Sequence, residues 1–339
     1  MKEIHTFTDK ERVKLEEILS DVALNSPYIN YNFFHKKIIE IVESGVLPDF
    51  FINICKKIRK DRDLGKRIHV LKNCPIDKNL PNLNLDDPIN DKYLLKKSFL
   101  SEAFLDIFAY LLNSPLFSYA SRNNGDFFTD VICINRFRGK NTGFTDGDLI
   151  YHNDRTSHPV QADYITLLGI RCPKDDLIYT NYIDGKDIIN NLSPRHLEIL
   201  KKKIFYTEVD DLTKENVKNW SKSNIHAIIN GEKVWFQDTL TKPIENAPVE
   251  AIEAILALRN AMTKAFKWHH KIENGDLLVF PNQYGLHNRE RIEINNPEES
   301  SKRWLLKTYT FENEESAAMY SDYWKDDEYG CVNDKKGEI

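Results

Sequence analysis

The spacing of hydrophobic positions changes partway along the chain. Over residues 9–22, Val13, Leu15, Ile18, Leu19 and Val22 recur at steps that stack side chains on one face of a helix. Residues 32–43 repeat the pattern with Phe33, Phe34, Ile38, Ile39 and Val42, and Gly45 follows as a stop signal. Residues 49–60 and 101–112 predict two more helices. Between them, residues 73–88 are rich in Asn, Asp and Pro and predict a loop. From about residue 126 the character changes. Residues 127–137, 149–152, 163–171 and 177–183 are β-branched and aromatic runs separated by turn residues, and predict strands. Residues 193–203 return to helix, capped by Ser193 with Pro194 in the first turn. Residues 225–238 predict a hairpin that turns at Asn230-Gly231. Residues 249–267 predict an amphipathic helix, and residues 276–280 and 303–311 two more strands, the first entered through Asn274-Gly275. The polar stretch 212–223 reads as a loop or lid.

Many short strands after a helical start predict a mainly β fold with helical decoration, a barrel or sandwich core. The expected division is an N-terminal helical region over residues 1–120 packed on the core, a strand-rich core with inserted helices and lid over 121–315, and a C-terminal tail over 316–339. Strands and helices do not alternate, and neither G-x-G-x-x-G nor G-x-x-x-x-G-K occurs, which argues against a doubly wound nucleotide-binding sheet.

Composition narrows the function classes. The 339 residues are 41% hydrophobic, enough for a large core. Lys and Arg number 47 against 52 Asp and Glu, a net charge of −5, which gives nucleic-acid binding no basic face to work with. The basic runs 56–60 and 201–203 sit beside helical patterns and read as solvated helix faces. No stretch approaches the roughly eighteen apolar residues of a membrane helix, and the polar first twelve residues do not read as a secretory signal. The five cysteines stand far apart with no Cys-x-x-Cys, so neither a disulfide framework nor a zinc knuckle is expected. A cytoplasmic protein acting on a small molecule is the expectation.

Candidate chemistry enters at His152-Asn153-Asp154. An iron(II) site for oxygen activation uses two His and one carboxylate, leaving positions for small molecules. On a strand, alternate residues point to one side, so His152 and Asp154 can meet one ion while Asn153 faces away. The only other match, His196-Leu197-Glu198, lies in a predicted helix, where such a spacing does not converge. His287 follows the predicted strand 276–280 and is the candidate third ligand. Arg303, opening the last strand, suits a bidentate bond to a dicarboxylate. Lys307 shares its face and could meet a substrate α-carboxylate, although taken alone it reads first as a solvated surface lysine.

In combination these segments resemble the clavaminate synthase-like, TauD-related branch of the 2-oxoglutarate oxygenases, which includes free amino acid hydroxylases. The matching residues are His152, Asp154, His158, Asp163, Tyr164, Leu167 and Arg171, then Gly275-Asp276-Leu277-Leu278 with His287, then Arg303-Trp304-Leu305. They cover the chain from about residue 131 to 311. The resemblance implies a double-stranded β-helix, a jelly-roll or cupin-like core. It implies Fe(II) held by His152, Asp154 and His287, with 2-oxoglutarate as cosubstrate bound by Arg303 and Thr180, and O2 as oxidant. His158 is read as structural. The implied reaction is hydroxylation of a free amino acid. Asp238 stands where arginine-type members carry an acid for a cationic side chain, so a basic substrate, L-lysine or L-arginine, is expected; its alternative is an Asp capping a turn. Many amino acid hydroxylases of this branch have Glu where this chain has Asp154, and the stretch from His287 to Arg303 is longer than expected, implying a longer loop through 295–297. Other substrates, a non-catalytic metal-binding β-barrel and a zinc hydrolase stay open as rival readings.

Overall fold

The run Tyr164–Arg171 is buried along all but its last residue. A strand flanked on both edges and covered on both faces reads this way, and the rest of the architecture is arranged around it. The computed structural model describes residues 2–140, 142–145, 147–217, 220–325 and 330–333. Its strands in chain order are β1 (Lys2–Thr6), β2 (Ile68–Lys72), β3 (Leu116–Tyr119), β4 (Thr129–Ile132), β5 (Leu149–His152), β6 (Tyr164–Arg171), β7 (Leu177–Asp184), β8 (Phe205–Thr207), β9 (Ile229–Asn230), β10 (Lys233–Val234), β11 (Thr241–Pro243), β12 (Lys267–Lys271), β13 (Leu277–Pro281), β14 (Gly285–Glu293), β15 (Trp304–Thr310) and β16 (Cys331–Val332). A mixed sheet runs β1-β2-β13-β6-β15-β3-β16, with β4 also paired to β15. A second sheet runs β12-β7-β14-β5.

Alternation along the strands separates two cores. On β6, β13 and β15, Tyr164, Leu168, Leu277, Val279, Trp304 and Leu306 join the N-terminal helices in one hydrophobic cluster. Their neighbours Ile165, Leu167, Leu278, Phe280, Leu305 and Tyr309 meet Tyr182 of the second sheet in another. The large sheet therefore lies between a helical layer and the smaller sheet. The helix Leu100–Leu111 is buried from Ser101 to Ala109 and packs among Asp9–Leu19, Tyr31–Glu43, Asp49–Asp63 and the sheet. The second sheet has its own helix: Ile183 and Leu286 pack against Ala251, Ala254, Leu258 and Ala261 of Glu250–Lys264. Among the described residues no helix is long and apolar enough to cross a membrane.

The mainly β architecture with helices is as expected, with several departures. Residues 1–120 supply β1, β2 and β3 as well as helices, so this region is woven into the sheet instead of only resting on it. A five-residue segment such as Ile68–Lys72, with three apolar residues, is too short to show a period that distinguishes strand from helix. The strand expected over 127–137 contracts to β4, and the helix expected to reach residue 267 stops at Lys264, where β12 follows. In the expected lid, Asp210 caps a short helix, Asp211–Asn216; residues 218 and 219 lie outside the described residues. The expected C-terminal tail contains the helix Glu314–Ala318 and β16, which pairs in parallel with β3. Its residues 326–329 and 334–339 are outside the described set.

Two buried histidines make this core acid-sensitive. His69 on β2 has its Nε2 2.8 Å from the Lys66 carbonyl, and His226 stacks on Trp235 with its Nε2 3.0 Å from Thr207 Oγ1. Burial lowers each imidazole from its ordinary value of 6.5 to about 4. Below about 6.5 the unfolded chain takes up protons that the folded chain refuses. Stability is then complete above that pH and falls toward pH 4, by on the order of 3 kcal/mol per histidine. Urea midpoints measured from pH 7.5 to 4.5 should show this decline, and His226→Gln should flatten it; an unchanged slope in that variant would refute the assignment.

Candidate metal centre

The register between β5 and β14 places His152 directly opposite His287. Directly opposed residues project from the same face of a sheet, and the two imidazole centroids are 4.2 Å apart. The ladder slips just after this pair, between His287 and Arg289.

Asp154 reaches the same point by another route than expected. The strand stops at His152, and the carboxylate is delivered by a turn in which Arg155 takes φ +59°. Asn153 holds that turn from the opposite side. Its amide donates to the Asn282 and Gly285 carbonyls at 2.6 and 2.9 Å, and its Oδ1 accepts from Phe236 N at 2.8 Å. Asn282 in turn accepts from Asp154 N at 2.8 Å and donates to the Asp154 carbonyl at 3.2 Å. The main chain of Asp154 is thus fixed by the loop between β13 and β14, the latter carrying His287.

Asp154 Oδ1 lies 3.5 Å from His152 Nε2 and 3.9 Å from His287 Nε2. One donor atom from each of the three residues lies within 4.8 Å of the others. The Nδ1 of His152 is 2.7 Å from the Ile150 carbonyl. Donating there leaves the Nε2 lone pair facing the other two donors, the arrangement a metal-binding imidazole needs. Burial, and then the neighbouring His152, hold the His287 imidazole well below its ordinary value, which keeps it neutral. Burial alone would raise the Asp154 carboxyl, but the Lys307 ammonium at 2.8 Å from Oδ2, with the two imidazoles, holds it well below the carboxylate range.

The three residues line a cavity between the sheets that Thr180, Arg303 and Lys307 also line. On β15 and the residue before it, Arg303, Leu305, Lys307 and Tyr309 face this cavity while Trp304 and Leu306 face the helices. Arg303 is buried, with 8% of its surface exposed. Burial lowers its pKa, and among the described residues no carboxylate pairs with it and its guanidinium makes no hydrogen bond. A buried guanidinium without a counter-ion suits an anionic ligand.

Two expectations need correction. Asp238 is not brought to the cavity. Its carboxylate accepts from Arg259 Nε at 2.5 Å, on the partly exposed face of Glu250–Lys264. Lys307 is a buried partner of Asp154, where in the sequence it reads first as a solvated surface lysine. Other cavity residues carry no signal in the sequence. Arg289, next but one to His287, donates to the carbonyls of Gly147 and Thr145 at 2.8 and 2.6 Å. Arg122 Nη2 donates to both Asp210 oxygens at 2.8 and 2.7 Å, tying the start of the helix Asp211–Asn216 to the turn that follows β3. His158 is fully buried and its Nδ1 accepts from Val160 N at 2.9 Å, in keeping with a structural place.

Residues 100–309 match the family model described as taurine catabolism dioxygenase TauD, TfdA family. No curated protein sequence matches the chain. Among solved structures, asparagine oxygenase in complex with Fe(II), 2S,3S-3-hydroxyasparagine and succinate superposes with a TM-score of 0.79 at 15% identity, covering 97% of this chain and 99% of that one. The non-heme iron oxygenase OrfP in complex with Fe and alpha-ketoglutaric acid gives 0.72 at 16% identity, over 93% and 96% of the two chains. OrfP with Fe, succinate and (3S)-hydroxy-L-Arg gives 0.76 at 14%, over 97% and 99%. At these identities the likeness is one of fold.

Asn153 is the side chain on which this geometry most depends. Asn153→Ala leaves two carbonyls and one N–H without partners in a buried place, which should cost about 3 kcal/mol. Urea denaturation measures it, and a loss under about 0.5 kcal/mol would show that the turn holds without it.

Proposed function

The chain belongs to the taurine catabolism dioxygenase TauD, TfdA family, and on that premise we propose that it is an iron(II)- and 2-oxoglutarate-dependent oxygenase that hydroxylates an unactivated C–H bond of a free amino acid. One observation carries this reading: two imidazoles, a carboxylate and a guanidinium with no acidic partner among the described residues face a single cavity. Iron with 2-oxoglutarate and O2 supplies the oxidising power, releasing succinate and CO2 as the substrate gains a hydroxyl. His152 and His287 would hold the ion through Nε2, and Asp154 through Oδ1. Three protein donors leave room for small molecules, unlike a closed structural site. Arg303 would take the distal carboxylate of 2-oxoglutarate, with the Thr180 hydroxyl beside it. The walls of Ile165, Leu167 and Leu305 keep water from the reacting groups. Two facing sheets, with His152 and His287 on the smaller one and Arg303 at the start of β15 in the larger, support the finer reading of the core as a double-stranded β-helix.

The finer substrate proposal is a basic amino acid, L-lysine or L-arginine. Its support is the fold shared with OrfP, solved with hydroxyarginine; Asp238, held by Arg259, contributes none. Asparagine, from the other neighbour, is the competing candidate. Among the described residues no disulfide joins the five cysteines, four of them buried, which fits a reducing cytoplasm.

Anaerobic addition of Fe(II) and 2-oxoglutarate should produce a weak visible absorption band, and with O2 one amino acid of a panel should stimulate succinate release. The panel includes lysine, arginine, asparagine and neutral residues. A protein that gives no band, or hydrolyses a substrate without 2-oxoglutarate, is not this oxygenase. Turnover of asparagine or another neutral residue alone sinks only the basic-substrate proposal. Arg303→Gln should raise the KM for 2-oxoglutarate about 100-fold, the loss of a charge-assisted bidentate contact worth ~3 kcal/mol. An unchanged KM would remove Arg303 from that role.

A further inference from the structure

The ammonium of Lys307 is held by the same carboxylate that completes the metal centre. It lies 2.8 Å from Asp154 Oδ2, while Oδ1 is the oxygen that faces the two imidazoles. Both side chains are largely buried, with 14% and 12% exposed. Strand alternation delivers Lys307 from β15, in register with Leu167 of β6 and Thr129 of β4. Its Nζ sits 4.9 Å from the centroid of the Tyr309 ring. Among the described residues no second carboxylate pairs with it.

From this geometry we infer that Lys307 is a positioning residue that keeps Asp154 a one-oxygen ligand and holds the metal affinity of the site down. The inference rests on the reading of His152, Asp154 and His287 as a metal centre. Two consequences follow. With Oδ2 occupied, Asp154 offers the ion one donor and leaves the remaining positions to small molecules. Without Lys307, Oδ2 is released to chelate, and one of those positions is lost to it.

The second consequence is electrostatic. Without metal, one carboxylate and one ammonium balance each other in a buried place. A divalent ion brings two more positive charges to within a few ångströms of that ammonium, where screening is weak. Removing the ammonium relieves this repulsion and leaves Asp154 more charge to give. It also removes an anchor, which acts in the opposite sense. The anchor is the smaller effect, because the main chain of Asp154 is held independently by Asn282 and Asn153. Coulomb repulsion between charges this close in a buried site exceeds the freedom regained by one side chain.

The test is Mn(II) binding, followed from the magnetic resonance signal of the free ion, in wild type, Lys307→Met, Lys307→Gln and Lys307→Arg, with Asp154→Ala as control. Lys307→Met and Lys307→Gln should bind Mn(II) at least about tenfold more tightly than wild type. The KM for 2-oxoglutarate should rise in both, and Lys307→Arg should stay within about threefold of wild type on both measures. A merely structural lysine would weaken Mn(II) binding or leave it unchanged when lost, and either result in a folded variant overturns the inference. Glutamine preserves the comparison should methionine prevent folding. If wild type itself takes up no Mn(II), or binds it as well after Asp154→Ala, the metal-centre reading fails and the inference with it. Wild-type binding without tightening in the variants sinks the inference alone.

Discussion

The structure turns on the pairing of His152 with His287 across β5 and β14. A strand has a two-residue period, so a slip of one residue would turn His287 away and bring Leu286 into its place. Leu286 is fully buried on the other face, against the helix Glu250–Lys264, and exposing it would forfeit about 2 kcal/mol of burial. Close approach restricts the entry to β14 as well: a Cβ on Gly285 would stand 2.2 Å from the Ile183 carbonyl oxygen. Packing on the far side of the smaller sheet therefore decides where the imidazoles point.

The larger sheet divides its labour along β15 in the same way. Trp304 and Leu306 bury their side chains among the N-terminal helices, and Arg303, Leu305, Lys307 and Tyr309 face the cavity. The helical layer thus bears on the chemistry without contributing a residue to the metal centre: it covers the face that would otherwise leave Trp304 exposed and β15 without a fixed orientation. A buried ion pair such as Lys307 and Asp154 is a doubtful source of stability, because desolvation offsets much of its attraction. Its persistence at the metal centre is better understood as tuning of a ligand. Arg303 extends the pattern, being a buried cation whose counter-ion is supplied by the cosubstrate in the proposed reaction.

Much of this was legible in residue order. β5, β6, β7, β13 and β15 are short runs of β-branched and aromatic residues with turn signals at their ends, and all five stand close to where the pattern predicts them. The strand that carries the third candidate ligand was not legible. β14 reads Gly-Leu-His-Asn-Arg-Glu-Arg-Ile-Glu, too polar to look half-buried, because its inner face lines a polar cavity and its outer end is exposed. His287 stood out through its motif and not through its strand. β1 and β2 were hidden among helices for want of length. Asp238 was misplaced because spacing from a distant histidine says nothing of which way a side chain leaves the chain, and a neighbouring arginine on another element claimed it.

Residue order alone determined the kinds of groups present and the local periods: two histidines and an aspartate at suggestive spacing, an arginine and a lysine on one strand face, and a strand-rich second half. Tertiary structure decided which groups meet. Register set His152 against His287, a turn pinned from β13–β14 brought Asp154 to them, and the closeness of the two sheets gave Asp154 a lysine partner that no local pattern encodes. The reason is one of range. Periodicity reports on neighbours a few residues apart, whereas Asp154 meets Lys307 only after the chain has crossed between sheets.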